Sequence, residues 1–129
     1  MTDRPALYVA GPMRGYPEFN FPAFDEATAK LRAAGYVVFN PAERDREVHG
    51  DGVNDSATGD LADVAHTGFS LRDALAADTA WICAHADGIA VLTGWEQSYG
   101  ARAEVALGHA LGIPHNFVSQ WLQDARESA

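Results

Sequence analysis

The sequence predicts one α/β domain over residues 1–129: a flavodoxin-like or Rossmann-like three-layer sandwich with a parallel sheet of four to five strands. Three observations predict it. Short β-forming runs alternate with segments whose apolar residues recur at helical spacing, the pattern of right-handed βαβ crossovers. Turn residues punctuate the alternation at Gly11-Pro12, Gly35, Asn40-Pro41 and Gly112. A chain of 129 residues is long enough for one real core and too short for two.

The first strand is ALYVA (6–10), stopped by Gly11-Pro12. Phe21, Phe24, Ala27, Thr28, Leu31 and Ala34 then mark the first helix, and Gly35 supplies the left-handed residue that ends it. The second strand is YVVF (36–39), stopped by Asn40-Pro41. Residues 41–69 are polar, with four glycines, and read as a long irregular segment with room for one short helix; a loop of this length in a small domain is usually functional or mobile. Ser70 caps the next helix, with Asp73 where a capping box has Glu. GIAVL (88–92) is the third strand, TGWEQSYG (93–100) a loop, and 100–111 a helix ending at Gly112. HNFV (115–118) is the fourth strand, and Ser119 caps a last short helix carrying Trp121 and Leu122. Ligands of such sheets bind at the carboxyl ends of the strands, so residues 11–19, the loop after strand two and residues 93–100 should meet there.

Eighteen acidic against nine basic residues give a net charge of −9. That balance repels duplex phosphate and argues against a nucleic-acid polymer as partner, while leaving room for a small phosphorylated ligand. A single cysteine, Cys83, cannot form an internal disulfide and is expected to be a small buried hydrophobe. Apolar runs fall well short of the ~20 residues that span a bilayer. With no signal-like run, the expected location is cytoplasmic, with no membrane partner. The histidines at 49, 66, 85, 109 and 115 lack metal-ligand spacing. The stretch from Asp51 departs from a calcium loop at Val53, Ser56 and Ala62. Neither a dinucleotide-binding glycine motif nor a Walker A motif is present. No metal and no cofactor is therefore expected.

Two carboxylates stand where apolar residues belong. The helix after Ser70 has a stripe at 71, 74, 75, 78, 81, 82 and 85, and Asp78 sits in its middle beside Ala74, Leu75, Trp81 and Ile82. On the next helix Glu104 has Gly100, Ala101, Leu107 and Gly108 as neighbours, with Leu111 on the same stripe. One such acid is readily explained by a rim position or an arginine partner. Two of them on helices flanking one strand suit a pair with divided acid/base and nucleophile roles, as in retaining glycosidases. An anion cradle lies nearby. Gly11-Pro12-Met13-Arg14-Gly15 combines turn amides with a guanidinium, and Ser98 and Gly100 open the helix of Glu104. Ser98 as a plain cap and Arg14 as a solvated charge are the competing readings. Gly100 and Glu104 are one helical turn apart, roughly 6 Å, the scale separating a sugar carbon from its 5′-phosphate.

Taken in order, Tyr8-Val9-Ala10-Gly11-Pro12, Asp78-x-x-x-Ile82, Ala86-Asp87 and Ser98-x-Gly100-Ala101-x-x-Glu104 resemble the nucleoside 2-deoxyribosyltransferase superfamily. With Gly94-Trp95 added, the last stretch is also similar to an uncharacterised phage and bacterial branch of it. The resemblance covers residues 6–118 apart from 41–69. It implies that Glu104 attacks C1′ of a nucleoside, that Tyr8 orients Glu104, and that Asp78 holds the sugar or assists the leaving base. Gly11, Arg14, Gly15 and Ser98 match the 2′-deoxynucleoside 5′-phosphate N-hydrolases, which implies a nucleoside monophosphate as substrate. It further implies a homodimer or larger oligomer. One extra residue between Ile82 and Asp87, an added stretch at 16–21 and the unmatched 41–69 leave the base unidentified. Trp95 either stacks on that base or covers its own loop. Transfer of the sugar to a second base, a non-catalytic nucleotide-binding module and an interaction domain are the rival expectations.

Overall fold

A computed structural model describes residues 4–128. Four parallel strands, β1 Ala6–Ala10, β2 Val37–Phe39, β3 Gly88–Val91 and β4 His115–Phe117, form one sheet in the order β2-β1-β3-β4. Helices α1 Phe21–Ala33, α2 Pro41–His49, α3 Leu71–His85, α4 Tyr99–Leu111 and α5 Val118–Glu127 connect and flank them. The α/β sandwich is the one the alternation predicts, with four strands among the described residues.

Side chains alternate across β1 and so tie it to both helical layers. Leu7 and Val9 join a core with Phe24 and Leu31 of α1 and Trp121 and Ala125 of α5. Tyr8 and Ala10 face the other way, to Ile82 of α3 and Ala101 and Val105 of α4. Full burial of each large aliphatic side chain contributes about 1.5–3 kcal/mol as an upper bound, which is why this short central strand can organise the domain. Because β1 pairs with β2 on one side and β3 on the other, strand order reverses between β1 and β3, and a crevice opens above their carboxyl ends.

Residues 41–69 differ most from expectation. They hold the nine-residue α2 and two 3₁₀ turns, Asp51–Asn54 and Leu61–Thr67. Asn40-Pro41 ends β2 and also starts a helix: the Asn40 side chain accepts from the Ala42 amide at 2.9 Å, and Pro41 occupies the first turn. The last helix begins at Val118 without a side-chain cap, so Ser119 lies inside it; Phe117 is extended and β4 runs straight into α5. Cys83 is exposed, because it follows the buried Ile82 and points off the inner stripe of α3. Leu71, His85 and Leu111 are exposed ends of their stripes. Among the described residues no helix is long and apolar enough to cross a membrane.

Trp121 fastens α5 to the sheet. Its indole N–H donates to the Ile89 carbonyl at 3.1 Å, and its own carbonyl accepts from the Tyr36 hydroxyl at 2.6 Å. Gly88 lies directly beneath the ring, where a Cβ would fall 2.6 Å from two indole carbons. Gly88→Ala should therefore force the indole off its seat and lower the unfolding free energy by about 1–3 kcal/mol in urea denaturation. A change below about 0.5 kcal/mol would mean that the indole moves freely.

Candidate functional site

The crevice is a cavity of about 410 Å³. Its walls come from the loop after β1 (Gly11, Pro12, Met13, Arg14), from α2 (Pro41, Asp45), from α3 (Ala74, Leu75, Asp78) and from the start of α4 (Ser98, Tyr99, Gly100, Ala101, Glu104). Tyr8 forms part of the floor, and Phe19, Phe21, Phe24, Val53, Val64 and Phe69 add an apolar side.

Glu104 is 6% exposed, and its Oε2 accepts a 2.6 Å hydrogen bond from the Tyr8 hydroxyl. That hydroxyl is held by its ring, which stacks on Phe39 at 5.6 Å and touches Trp81 at 6.5 Å. The bond therefore spans from the central strand to α4 with neither end free to swing. Asp78 is buried on the facing helix, and its Oδ1 has no hydrogen-bond partner. The three groups reach one point because the inward stripes of α3 and α4 both face the layer of Tyr8.

A third carboxyl stands with them. Asp45 on α2 is 3% exposed, lines the same cavity, and has an Oδ1 without a hydrogen-bond partner. Its nearest cation is Arg44, whose Nη1 lies 3.6 Å away and is itself unpartnered. Sequence reasoning missed Asp45 because it lies in the segment read as irregular. The available signal was Asn40-Pro41 read as cap and first turn, after which Asp45 falls on the same face as Pro41 and Ala42.

Burial controls the charge state of all three. It pushes Glu104 up to about 8, opposed by the Tyr8 hydroxyl and reinforced by Asp78. It pushes Asp78 up to about 7, reinforced by Asp45, with the Tyr8 hydroxyl and Arg44 pulling the other way. It pushes Asp45 up to about 6 against Arg44 and Arg46. Tyr8 is raised well above its ordinary value, by burial and then by the neighbouring Glu104 and Asp78, so it remains a proton donor. It donates to Glu104, and it lies near enough to Asp78 to pull that carboxyl down as well.

The anion cradle is assembled in part. Met13 and Arg14 line the cavity, and Gly11 lets the turn approach Leu92, where a Cβ would fall 2.8 Å away. Gly15 does not reach it, since its amide donates to the Gly59 carbonyl at 3.0 Å. Ser98 caps α4 by accepting from the Ala101 amide at 3.2 Å and lines the cavity as well. Trp95 sits away from the cavity, packed edge-on against His115 at 5.3 Å, which favours a structural role over base stacking. No group of three or more His, Cys, Asp or Glu among the described residues is arranged to hold a metal ion.

Fold and site thus define a doubly wound α/β protein with a ligand-sized cavity at its switch point, carrying three buried carboxyls and the buried Tyr8. Residues 5–116 match the model of a domain of unknown function (DUF4406), and the chain belongs to that family. No curated protein and no solved structure matches it.

Glu104 makes the fold sensitive to pH. Its folded-state pKa lies above the 4.5 of a free glutamate, so the folded chain keeps a proton that the unfolded chain releases. This contribution is complete below about pH 4.5 and is lost as pH rises through about 8. Glu104→Gln, neutral at every pH, should match the wild type in calorimetry at pH 4.5 and exceed it by about 4 kcal/mol at pH 8.5. An equal difference at both pH values would mean that Glu104 ionises freely in the fold.

Proposed function

We propose that this protein cleaves the N-glycosidic bond of a nucleoside 5′-monophosphate by double displacement, with Glu104 as nucleophile. The observation that carries the reading is the buried Tyr8–Glu104 hydrogen bond with Asp78 beside it in one cavity. A retaining glycosidase needs a carboxylate fixed in orientation and a second carboxyl that still holds a proton near neutral pH. Tyr8 supplies the orientation and, by donating to Oε2, favours the ionised form against burial. Burial raises Asp78 to about 7 and Glu104 to about 8, so the form with Glu104 ionised and Asp78 protonated is a minor one near neutral pH, and it is the form that reacts.

The first step forms a bond from Glu104 to C1′ as the C1′–N bond breaks, and the base nitrogen takes the proton from Asp78. In the second step water attacks C1′, Glu104 departs, and the water's proton returns to Asp78. Arg14, the Gly11 and Met13 amides and the start of α4 at Ser98–Gly100 bind the 5′-phosphate. The chemistry uses these side chains alone, without a cofactor. A second base in place of water would make the same site a transferase.

Purified protein incubated with ribo- and deoxyribonucleosides and their 5′-monophosphates should release free base, followed by chromatography. Glu104→Ala should lower that release by about a thousandfold or more. Arg14→Ala should raise KM about tenfold for monophosphates and leave nucleosides unchanged. Absence of base release from every substrate, with and without an acceptor base, would leave the cavity as a nucleotide-binding site.

Tyr8→Phe should slow release about tenfold near pH 7, because Glu104 then holds its proton more tightly, and the deficit should shrink towards pH 9. A deficit that stays constant with pH would mean that the hydroxyl only positions Glu104.

A further inference from the structure

Asp45 has no role in the steps above, yet burying it is unfavourable. A carboxyl 3% exposed with an oxygen left unpartnered is costly, and its nearest cation stands at 3.6 Å with its own nitrogen unpartnered. Arg44 and Asp45 are adjacent in sequence and do not complete each other's hydrogen bonds. Across the cavity wall, Asp78 also has an unpartnered, buried Oδ1. Helices α2 and α3 pack together, both aspartates line the cavity, and the charge of Asp45 acts directly on Asp78. Two buried carboxyls so placed cannot both ionise cheaply, so between them they retain a proton.

We infer that Asp45 and Asp78 form an electrostatically coupled carboxyl pair in the cavity wall that retains one proton between them, with Asp45 as the positioning residue that keeps this proton on Asp78. The pair deepens the glycosidase reading and rests on it for its chemical role, though not for its existence. In the resting site the pair carries one proton. As the C1′–N bond breaks, its electrons go to the base nitrogen, which takes that proton, and both carboxylates are then ionised. Their repulsion makes the pair a strong base, and it recovers the proton from the water that attacks C1′ in the second step. Leaving groups that accept a proton at nitrogen are the ones this arrangement serves.

Other charged groups face the pair. Asp78 sees Arg44 from α2, the Tyr8 hydroxyl from β1 and Glu104 from α4. Asp45 sees Arg44 and Arg46 of its own helix, and Arg46 is engaged by Asp25 at 2.8 Å. Asp45 therefore adds negative charge beside Asp78, while Arg44 partly offsets it.

The test is a ¹³C NMR titration of the side-chain carboxyl carbons in the ligand-free protein, wild type against Asp45→Asn. The Asp78 resonance should titrate near neutral pH in the wild type and about one pH unit or more lower in Asp45→Asn. Asp78→Asn, read at Asp45, supplies the reciprocal shift and covers the case in which the first variant folds poorly. Resonances that titrate at the same pH with and without the partner overturn the pair. Because this readout needs no turnover, it separates failure of the pair from failure of the glycosidase reading, which would show as no base release by a wild type whose carboxyls still titrate together. If the protein turns over, Asp45→Asn should lose more activity at pH 8.5 than at pH 6.5. A loss that depends on the base and not on pH would mean that Asp45 reads the base edge, and would overturn the pair.

Discussion

The hydrogen bond from the Tyr8 hydroxyl to Glu104 links the innermost strand to the helix that follows β3, and the site is organised around it. Tyr8 can hold that position because its ring packs in a three-ring cluster with Phe39 and Trp81, which come from the end of β2 and from α3. Three of the elements around the crevice thus converge on one aromatic side chain. The same packing excludes water, which strengthens the bond and raises the energy needed to ionise Glu104 beside it.

Buried acid is the constraint that follows. Glu104, Asp78 and Asp45 are each less than a tenth exposed, and no arginine is bonded to any of them at hydrogen-bond distance. A fold selected for stability alone would fill these positions with apolar side chains, as the rest of both stripes is filled. Carboxyls that remain protonated near neutral pH suit proton transfer, and carboxyls at the mouth of a parallel sheet are where a ligand can reach them.

The apolar side of the cavity is closed by two segments fastened to each other. The Glu18 amide donates to the Ser56 carbonyl at 2.7 Å, and the Gly15 amide to that of Gly59. From the Glu18 tie onward, Glu18, Phe19 and Asn20 all have positive φ, between 53° and 62°, a conformation that costs a residue with a bulky side chain about 1–2 kcal/mol. Burial of Phe19 and the bond from the Asn20 side chain to the Pro12 carbonyl at 2.9 Å offset part of that strain. The strained turn holds Phe19 in the cavity wall directly after the loop that carries Arg14.

Periodicity and punctuation determined the layers, the strand positions and the two anomalous acids, because these are local properties of spacing: β1 falls on 6–10 as its residues demand, and Asp78 and Glu104 betray themselves by interrupting apolar stripes. Tyr8 was legible only through family resemblance, since a tyrosine in an apolar strand looks like any core residue until its hydroxyl has a partner. Asp45 was not legible, because its segment is polar throughout and an acid there breaks no pattern. Trp95 and Gly15 match a motif yet point away from the cavity, for which side they face depends on contacts with His115 and Gly59, twenty and forty-four residues away. Sequence alone determined which residues are out of place; tertiary structure decided which of them meet, because burial and proximity come from packing segments that lie far apart along the chain.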